Sequence, residues 1–229
     1  MTPAESKPRN IKHNFSSSAE KILNFVAFPF RAFVLNPNES GKRLMCLRDE
    51  RMHYVKRYCR GRTLDVGCGP WNVFCAEFLD GKGEGVDFHQ YPGLEKKQVL
   101  DPPLPFPQAD ASFDTVTLIA NVNHIPESVF DQEIKEISRV LAPGGRLLVT
   151  RIGLLVSFMT HNVVKVQSKL SDKYYDMDTE RGIEDDERLT VSRKELDQTM
   201  GKYGLKLAER KRFWTQWALN ELLIFEKRS

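Results

Sequence analysis

Two aspartates and two glycines stand where a nucleoside could be held. Asp65 precedes a Gly67-Cys68-Gly69 turn in the run Thr63-Leu64-Asp65-Val66-Gly67-Cys68-Gly69-Pro70, and Asp87 follows Asp65 by 22 positions. Glycines in such a turn let the backbone come close to a ligand where any Cβ would collide. A carboxylate about 20 residues further on is placed to accept hydrogen bonds from ribose hydroxyls. A helix leaving the turn would offer unpaired N–H groups to the anionic end of the ligand. Many turns contain Gly-x-Gly; Asp65, Asp87 and the later Pro143-Gly144-Gly145 are what give this one weight.

Other reactive side chains have two readings each. Asp65 and Asp87 are also residue types that cap helices and end strands. His124, in Asn121-Val122-Asn123-His124-Ile125-Pro126, follows an apolar strand and should face the cleft. It is either a general base for a hydroxyl nucleophile or a loop histidine packed on the next helix. Cys46, Cys59, Cys68 and Cys75 form no CxxC pair and have no His-x-x-His partners, so no metal site is expected. Reduced thiols that fill space are the plain reading.

Strands and helices must carry these groups. Residues 62–66 form a short strand into the glycine turn, and a helix over 72–79 leaves it. Strands are expected at 85–88, at 97–100 and, most clearly, in the apolar run 113–120. Residues 126–141 have apolar positions at helical spacing, with Pro126 in the first turn. Pro143-Gly144-Gly145 ends that helix, and the next strand runs over 146–152. Ser192-Arg193-Lys194-Glu195 is a capping box opening a helix to 203. Strands at 206–213 and 219–226 suggest a closing hairpin. Alternating helices and near-continuous apolar strands indicate a parallel sheet covered on both faces.

The chain has 229 residues, 41% hydrophobic and 28% charged, enough for one sizeable domain with an extension. Its 34 Lys and Arg against 31 Asp and Glu leave a net charge of +3, too little to imply nucleic acid. Neither a membrane-spanning stretch nor a secretory signal is visible, and a cytoplasmic protein is expected.

The segments LDVGCGP, GVDF, LPFPQADASFDTVTLI and LAPGGRLLVT, in that order over residues 62–152, resemble the motifs of class I S-adenosylmethionine-dependent methyltransferases. They look most like the small-molecule group with PFxxxSFD and LxPGG segments. The resemblance implies an α/β, doubly wound, Rossmann-like, mostly parallel seven-stranded sheet with a C-terminal antiparallel hairpin. The expected cofactor is S-adenosylmethionine. By position, Asp65, Gly67, Cys68 and Gly69 match the loop around its methionine part, Asp87 the ribose carboxylate and Phe88 the adenine neighbour. Asp101 matches an acceptor for the adenine amino group, and Asn121 lies near the sulfonium. Where the family carries a third glycine this chain has Trp71, so the loop is either wider or roofed by the indole. The run Asp101-Pro102-Pro103-Leu104 superficially resembles the Asp-Pro-Pro-aromatic motif of amino-group methyltransferases acting on nucleic acid. That motif belongs at the end of the fourth strand, whereas this run precedes that strand, and Leu104 has no aromatic face to stack a base.

The implied activity is methyl transfer to a small, apolar or aromatic acceptor. Alternatives are a non-catalytic S-adenosylmethionine-binding or partner-binding protein and a nicotinamide-dependent oxidoreductase. The last would need glycine where Asn72 stands. Outside the resemblance, residues 1–17 read as a disordered tail, 18–59 as a helical cap over the active site, and 60–229 as the catalytic domain. Part of 154–190 is a candidate substrate lid. Residues 18–34 hold Phe25, Phe28, Phe30 and Phe33 with Lys21 and Arg31, so peripheral membrane contact through them is the alternative to a cap.

Overall fold

The computed structural model describes residues 17–33, 44–152 and 191–228. The expected lid at 154–190 and all but Ser17 of the expected tail lie outside the described residues.

Six strands form one sheet: β1 (Thr63–Val66), β2 (Glu84–Val86), β3 (Phe113–Leu118), β4 (Leu141–Ile152), β5 (Leu205–Arg212) and β6 (Asn220–Lys227). Their order is β2-β1-β3-β4-β6-β5. The first four run parallel, and β6 is antiparallel to both β4 and β5. All four residues of β1 are buried, as expected of a central parallel strand covered on both faces. Alternation along β4 and β6 divides the core. Leu147, Val149, Leu223 and Phe225 join the cluster under α4 (Glu127–Val140) and α5 (Arg193–Lys202). Leu148, Leu222 and Ile224 join the opposite cluster with Met52 and Val55 of α3 (Leu47–Lys56). Edge strand β5 alternates buried and open positions and carries Lys206, Glu209, Arg210, Lys211 and Arg212, a charged edge that resists pairing with other chains.

The architecture is the expected doubly wound α/β fold with a closing hairpin, but the strand count is six among the described residues, not seven. The missing strand is the one expected at 97–100. There Glu95 and Gln98 close a capping box around a 3-10 turn, Lys96–Gln98. Pairing with the sheet shrinks to one parallel bridge, Asp87 with Val99. A second difference concerns Pro143-Gly144-Gly145. Helix α4 passes directly into β4 at Leu141, and the glycines sit in a bulge where the β3–β4 register shifts between Phe113 and Thr115.

The N-terminal segment forms α1 (Ser18–Val26) and α2 (Phe28–Phe33), broken at Ala27, two residues before Pro29. The Ser17 hydroxyl accepts from the Glu20 amide at 3.1 Å, a cap worth about 1 kcal/mol. Ser192 caps α5 in the same way, accepting from the Glu195 amide at 3.2 Å.

Candidate active site

Parallel strands put their carboxyl ends at one edge, where ligands of open α/β sheets bind. Val66, Val86, Leu118 and Ile152 end there, so the loops that follow share one side. The register pairs Asp65 with Thr117 on β3, and the Thr117 hydroxyl donates to Asp65 Oδ1 at 2.5 Å. Burial pushes the Asp65 carboxyl up to about 7, against the pull of the Thr117 bond, and the charge of Asp87 adds to the rise.

The turn after β1 is held by its own backbone. The Gly67 and Cys68 amides donate to the Val86 carbonyl at 2.9 and 3.1 Å. Gly67 has φ +73, and a Cβ there would meet Asn121 Nδ2 at 2.0 Å. Gly69 has φ +65 with nothing within 4 Å of a Cβ position, so the space above it is open. Cys68 is buried, and burial pushes its thiol up, which suits a packing residue.

Beyond Gly69 the expected helix over 72–79 is replaced by a 3-10 turn, Pro70–Asn72, and a π-helix, Phe74–Phe78. The cause is visible in the backbone. Trp71 (φ 61) and Asn72 (φ 45) are consecutive non-glycine residues in left-handed conformation, which an α-helix cannot absorb. Such short turns have little aligned dipole, so the anion-binding helix end expected here is not built. Trp71 does not roof the turn. Its ring lies over Gly93, where a Cβ would meet Cε3 at 2.2 Å, and its amide donates to Pro92 at 2.8 Å. The Asn72 side chain fills the space over Gly85.

Asp87 is bonded across to the turn. Its Oδ2 accepts from the Gly69 amide at 2.8 Å and its Oδ1 from the His89 amide at 3.0 Å. The Phe88 amide also bonds this carboxylate, which keeps acceptor capacity for a hydroxyl donor. Burial raises this carboxyl too, against those backbone bonds. Phe88 follows with its ring exposed. Asp101 is exposed and comes one residue after Leu100, whose amide donates to the Asp87 carbonyl at 2.8 Å.

On the other side of the turn, Asn121 Nδ2 donates to the Val66 carbonyl at 3.2 Å. The His124 amide donates to the Asn121 carbonyl at 2.8 Å, and its Nε2 lies 3.2 Å from Asn123 Nδ2. The donor there is the amide, so Nε2 is the acceptor nitrogen of that pair. Asp65, Gly67, Cys68, Gly69, Asp87 and Asn121 are thus brought together around one turn, with Phe88 and His124 on its two flanks. Asp101 is reached only along the chain from the Asp87 bridge.

Two groups had no clear sequence signal. Glu133 of α4 is buried, its Oε1 has no hydrogen-bond partner, and burial pushes it up to about 8, with Asp87 contributing. Arg31, named in the sequence only as a basic neighbour of the phenylalanines, is buried. It bonds Glu50 of α3, the carbonyls of Met45 (2.6 Å), Asn24 (2.8 Å) and Thr215 (3.0 Å), and so ties α2 to α3 and the β5–β6 connection.

The sheet and its edge define a nucleoside-cofactor domain. The residues fit such a cofactor: open space over Gly69, remaining acceptor capacity on Asp87 and the exposed Phe88 ring. Residues 64–149 match the family described as "Methyltransferase domain". A demethylmenaquinone methyltransferase of Bacillus mycoides (strain KBAB4) is 30% identical over 131 residues, 50% of this chain and 54% of that protein. A solved S-adenosylmethionine-dependent methyltransferase from Methanosarcina mazei superposes with TM-score 0.52 at 20% identity, over 76% of this chain and 97% of that one. The 1,6-didemethyltoxoflavin-N1-methyltransferase of Burkholderia thailandensis, with bound 1,6-didemethyltoxoflavin and S-adenosylhomocysteine, superposes with TM-score 0.50 at 13% identity, over 79% and 77%. The chain spans about half the length of the curated relatives it matches. Residues 64–149 are thus similar to a methyltransferase domain, on a fold shared with solved S-adenosylmethionine-dependent methyltransferases. The nicotinamide reading falls with this match and with Asn72 in place of its third glycine.

Proposed function

We propose that this domain transfers a methyl group from S-adenosylmethionine to a small, largely apolar or aromatic acceptor. The observation that carries the reading is the bonded set Asp65, Gly67, Gly69 and Asp87 at the carboxyl edge of a matched methyltransferase domain. The cofactor, when bound, supplies an activated methyl on a sulfonium, so the protein contributes chiefly position and exclusion of water. Asp87 would hold the ribose, Phe88 would cover the adenine, and Asp101 would accept from its amino group. The Gly67–Gly69 backbone and Asn121 would bound the methionine end, with Asp65 providing negative charge beneath it.

His124 is the candidate base for an acidic hydroxyl acceptor; to act, its ring must give up the bond from Asn123. The acceptor class is supported by the modest net charge and by the relatives, one named for a demethylated quinone and one holding a fused heterocycle. The helices of 18–59 are proposed to border the pocket, since α1 packs on the β5–β6 connection at the same edge.

Calorimetry should give micromolar binding of S-adenosylmethionine and none of NAD, and Asp87→Ala should weaken it by about 1–3 kcal/mol. Labelled-methyl transfer to hydroquinone and heteroaromatic acceptors then tests turnover. Binding of NAD without S-adenosylmethionine would overturn the reading. Binding without turnover on any acceptor would leave the non-catalytic alternative. His124→Gln should lower kcat if the ring is the base. An unchanged kcat assigns it to the loop.

A further inference from the structure

Helices α1 and α2 are built inside out. Their buried side chains include Asn24 and Arg31, each 1% exposed, while Ile22 (57%), Val26 (68%) and Phe30 (47%) face outward. These three recur every fourth residue, and across the break the Ala27 and Arg31 amides still donate to the Leu23 and Ala27 carbonyls, so the helical register carries through and they form one stripe. The inner polar groups are fully occupied. Asn24 Oδ1 accepts from the Met45 amide at 3.0 Å, Asn24 Nδ2 donates to the Glu20 carbonyl at 2.8 Å, and Arg31 is paired with Glu50. The helix pair is therefore locked in this rotation.

The stripe continues onto the β5–β6 connection. Phe25 stacks on Trp214 at 4.5 Å, and Phe28 packs on Trp217 at 5.0 Å. Both indoles are about half exposed, and Trp217 Nε1 donates to the Phe25 carbonyl at 2.9 Å. This connection leads into Asn220, which pairs with Ile152, so the patch sits at the carboxyl edge of the sheet. Contiguous exposed apolar surface of this kind marks an interaction site.

We propose that this face, Ile22, Val26, Phe30, Trp214 and Trp217, seats the protein on the surface of an anionic lipid bilayer. Two half-exposed indoles beside aliphatic side chains suit the boundary between headgroups and acyl chains. Exposed Arg212 immediately precedes the Phe213-Trp214 corner, and the sequence ahead of α1, residues 1–16, has Lys7, Arg9 and Lys12 against Glu5. An anionic surface neutralises such charge, whereas a second copy of this chain would repeat it. Contact is superficial, since no helix among the described residues is long and apolar enough to cross a membrane. The seat lies at the same carboxyl edge of the sheet as the glycine turn. The binding itself does not rest on the methyl-transfer reading.

The test uses the full chain with phosphatidylcholine vesicles with and without phosphatidylglycerol. Co-flotation should be about tenfold stronger with the anionic lipid, and brominated acyl chains should quench tryptophan emission. Val26→Asp with Phe30→Asp should lower vesicle binding at least about tenfold while the melting temperature holds, because both side chains already face solvent. Vesicle binding unaffected by the two substitutions would overturn the proposal. So would absence of flotation together with a concentration-dependent dimer that the substitutions dissolve.

Discussion

Asp65 gives a sharp test of how the cofactor is held. Its carboxyl is fully buried and pushed up to about 7, so roughly nine-tenths of it is protonated at pH 6 and about a quarter at pH 7.5. A ligand bringing a sulfonium and an ammonium to this edge favours the ionised form. Binding at pH 6 should then release close to one proton from Asp65, and apparent affinity should rise several-fold, on the order of 1 kcal/mol, between pH 6 and pH 7.5. Calorimetry in two buffers of different ionisation enthalpy counts the protons directly. Asp65→Asn should lose this release and flatten the affinity profile. Titration of the ligand's own amine is common to both proteins, so their difference isolates Asp65. Equal proton release by wild type and Asp65→Asn, or release independent of pH, would show that the cation is not near this carboxylate.

Glu133 predicts an unusual dependence of stability on pH. Its folded value of about 8 lies above the ordinary 4.5, so the native state holds the proton longer and stability falls as pH rises between them. Glu133→Gln should therefore gain on wild type in urea unfolding, by roughly 1 kcal/mol at pH 5 and roughly 4 kcal/mol at pH 7.5; a gain that does not grow with pH would place the carboxyl in water. Arg31→Met should cost about 3–5 kcal/mol by stranding the Glu50 charge, and adding Glu50→Leu should recover most of it. If both variants unfold at the same denaturant concentration, the buried pair is not the lock between α2 and α3.

The parts of the site legible in the sequence are those set by local chemistry. The glycine turn, the carboxylate 22 residues on, the apolar run that became β3 and the Ser192 cap each depend on a few adjacent residues, and each is where the spacing put it. What the sequence hid depends on distant partners. Residues 97–100 have the composition of a strand, but the Glu95–Gln98 capping box wins locally, and pairing is limited to one bridge at Asp87, just past β2. The hairpin was visible as two adjacent strands. That β6 rather than β5 lies against β4 depends on seven register pairs, Arg146 with Glu226 through Ile152 with Asn220. The helix after the turn was misjudged because nothing in Trp71-Asn72 announces two consecutive left-handed residues.

The burial of Arg31 is not legible in the sequence, and it explains the surface around it. In the run Phe28-Pro29-Phe30-Arg31-Ala32-Phe33 the aromatics look like the core and the arginine like the rim. Glu50 of α3 reverses this. A buried carboxylate without its cation costs several kcal/mol, more than turning Phe30 or Val26 out to water. Once Arg31 and Asn24 are drawn inward, helical periodicity sends Ile22, Val26 and Phe30 out. Rotating the helices to bury that stripe would expose Asn24, strand Glu50 and break the bond from Trp217 to Phe25. The apolar face is thus the consequence of a polar lock, and water alone gives no reason to keep it apolar. Polar residues at positions 22, 26 and 30 would leave the lock untouched, which is why their replacement by aspartate reads out the outer surface alone.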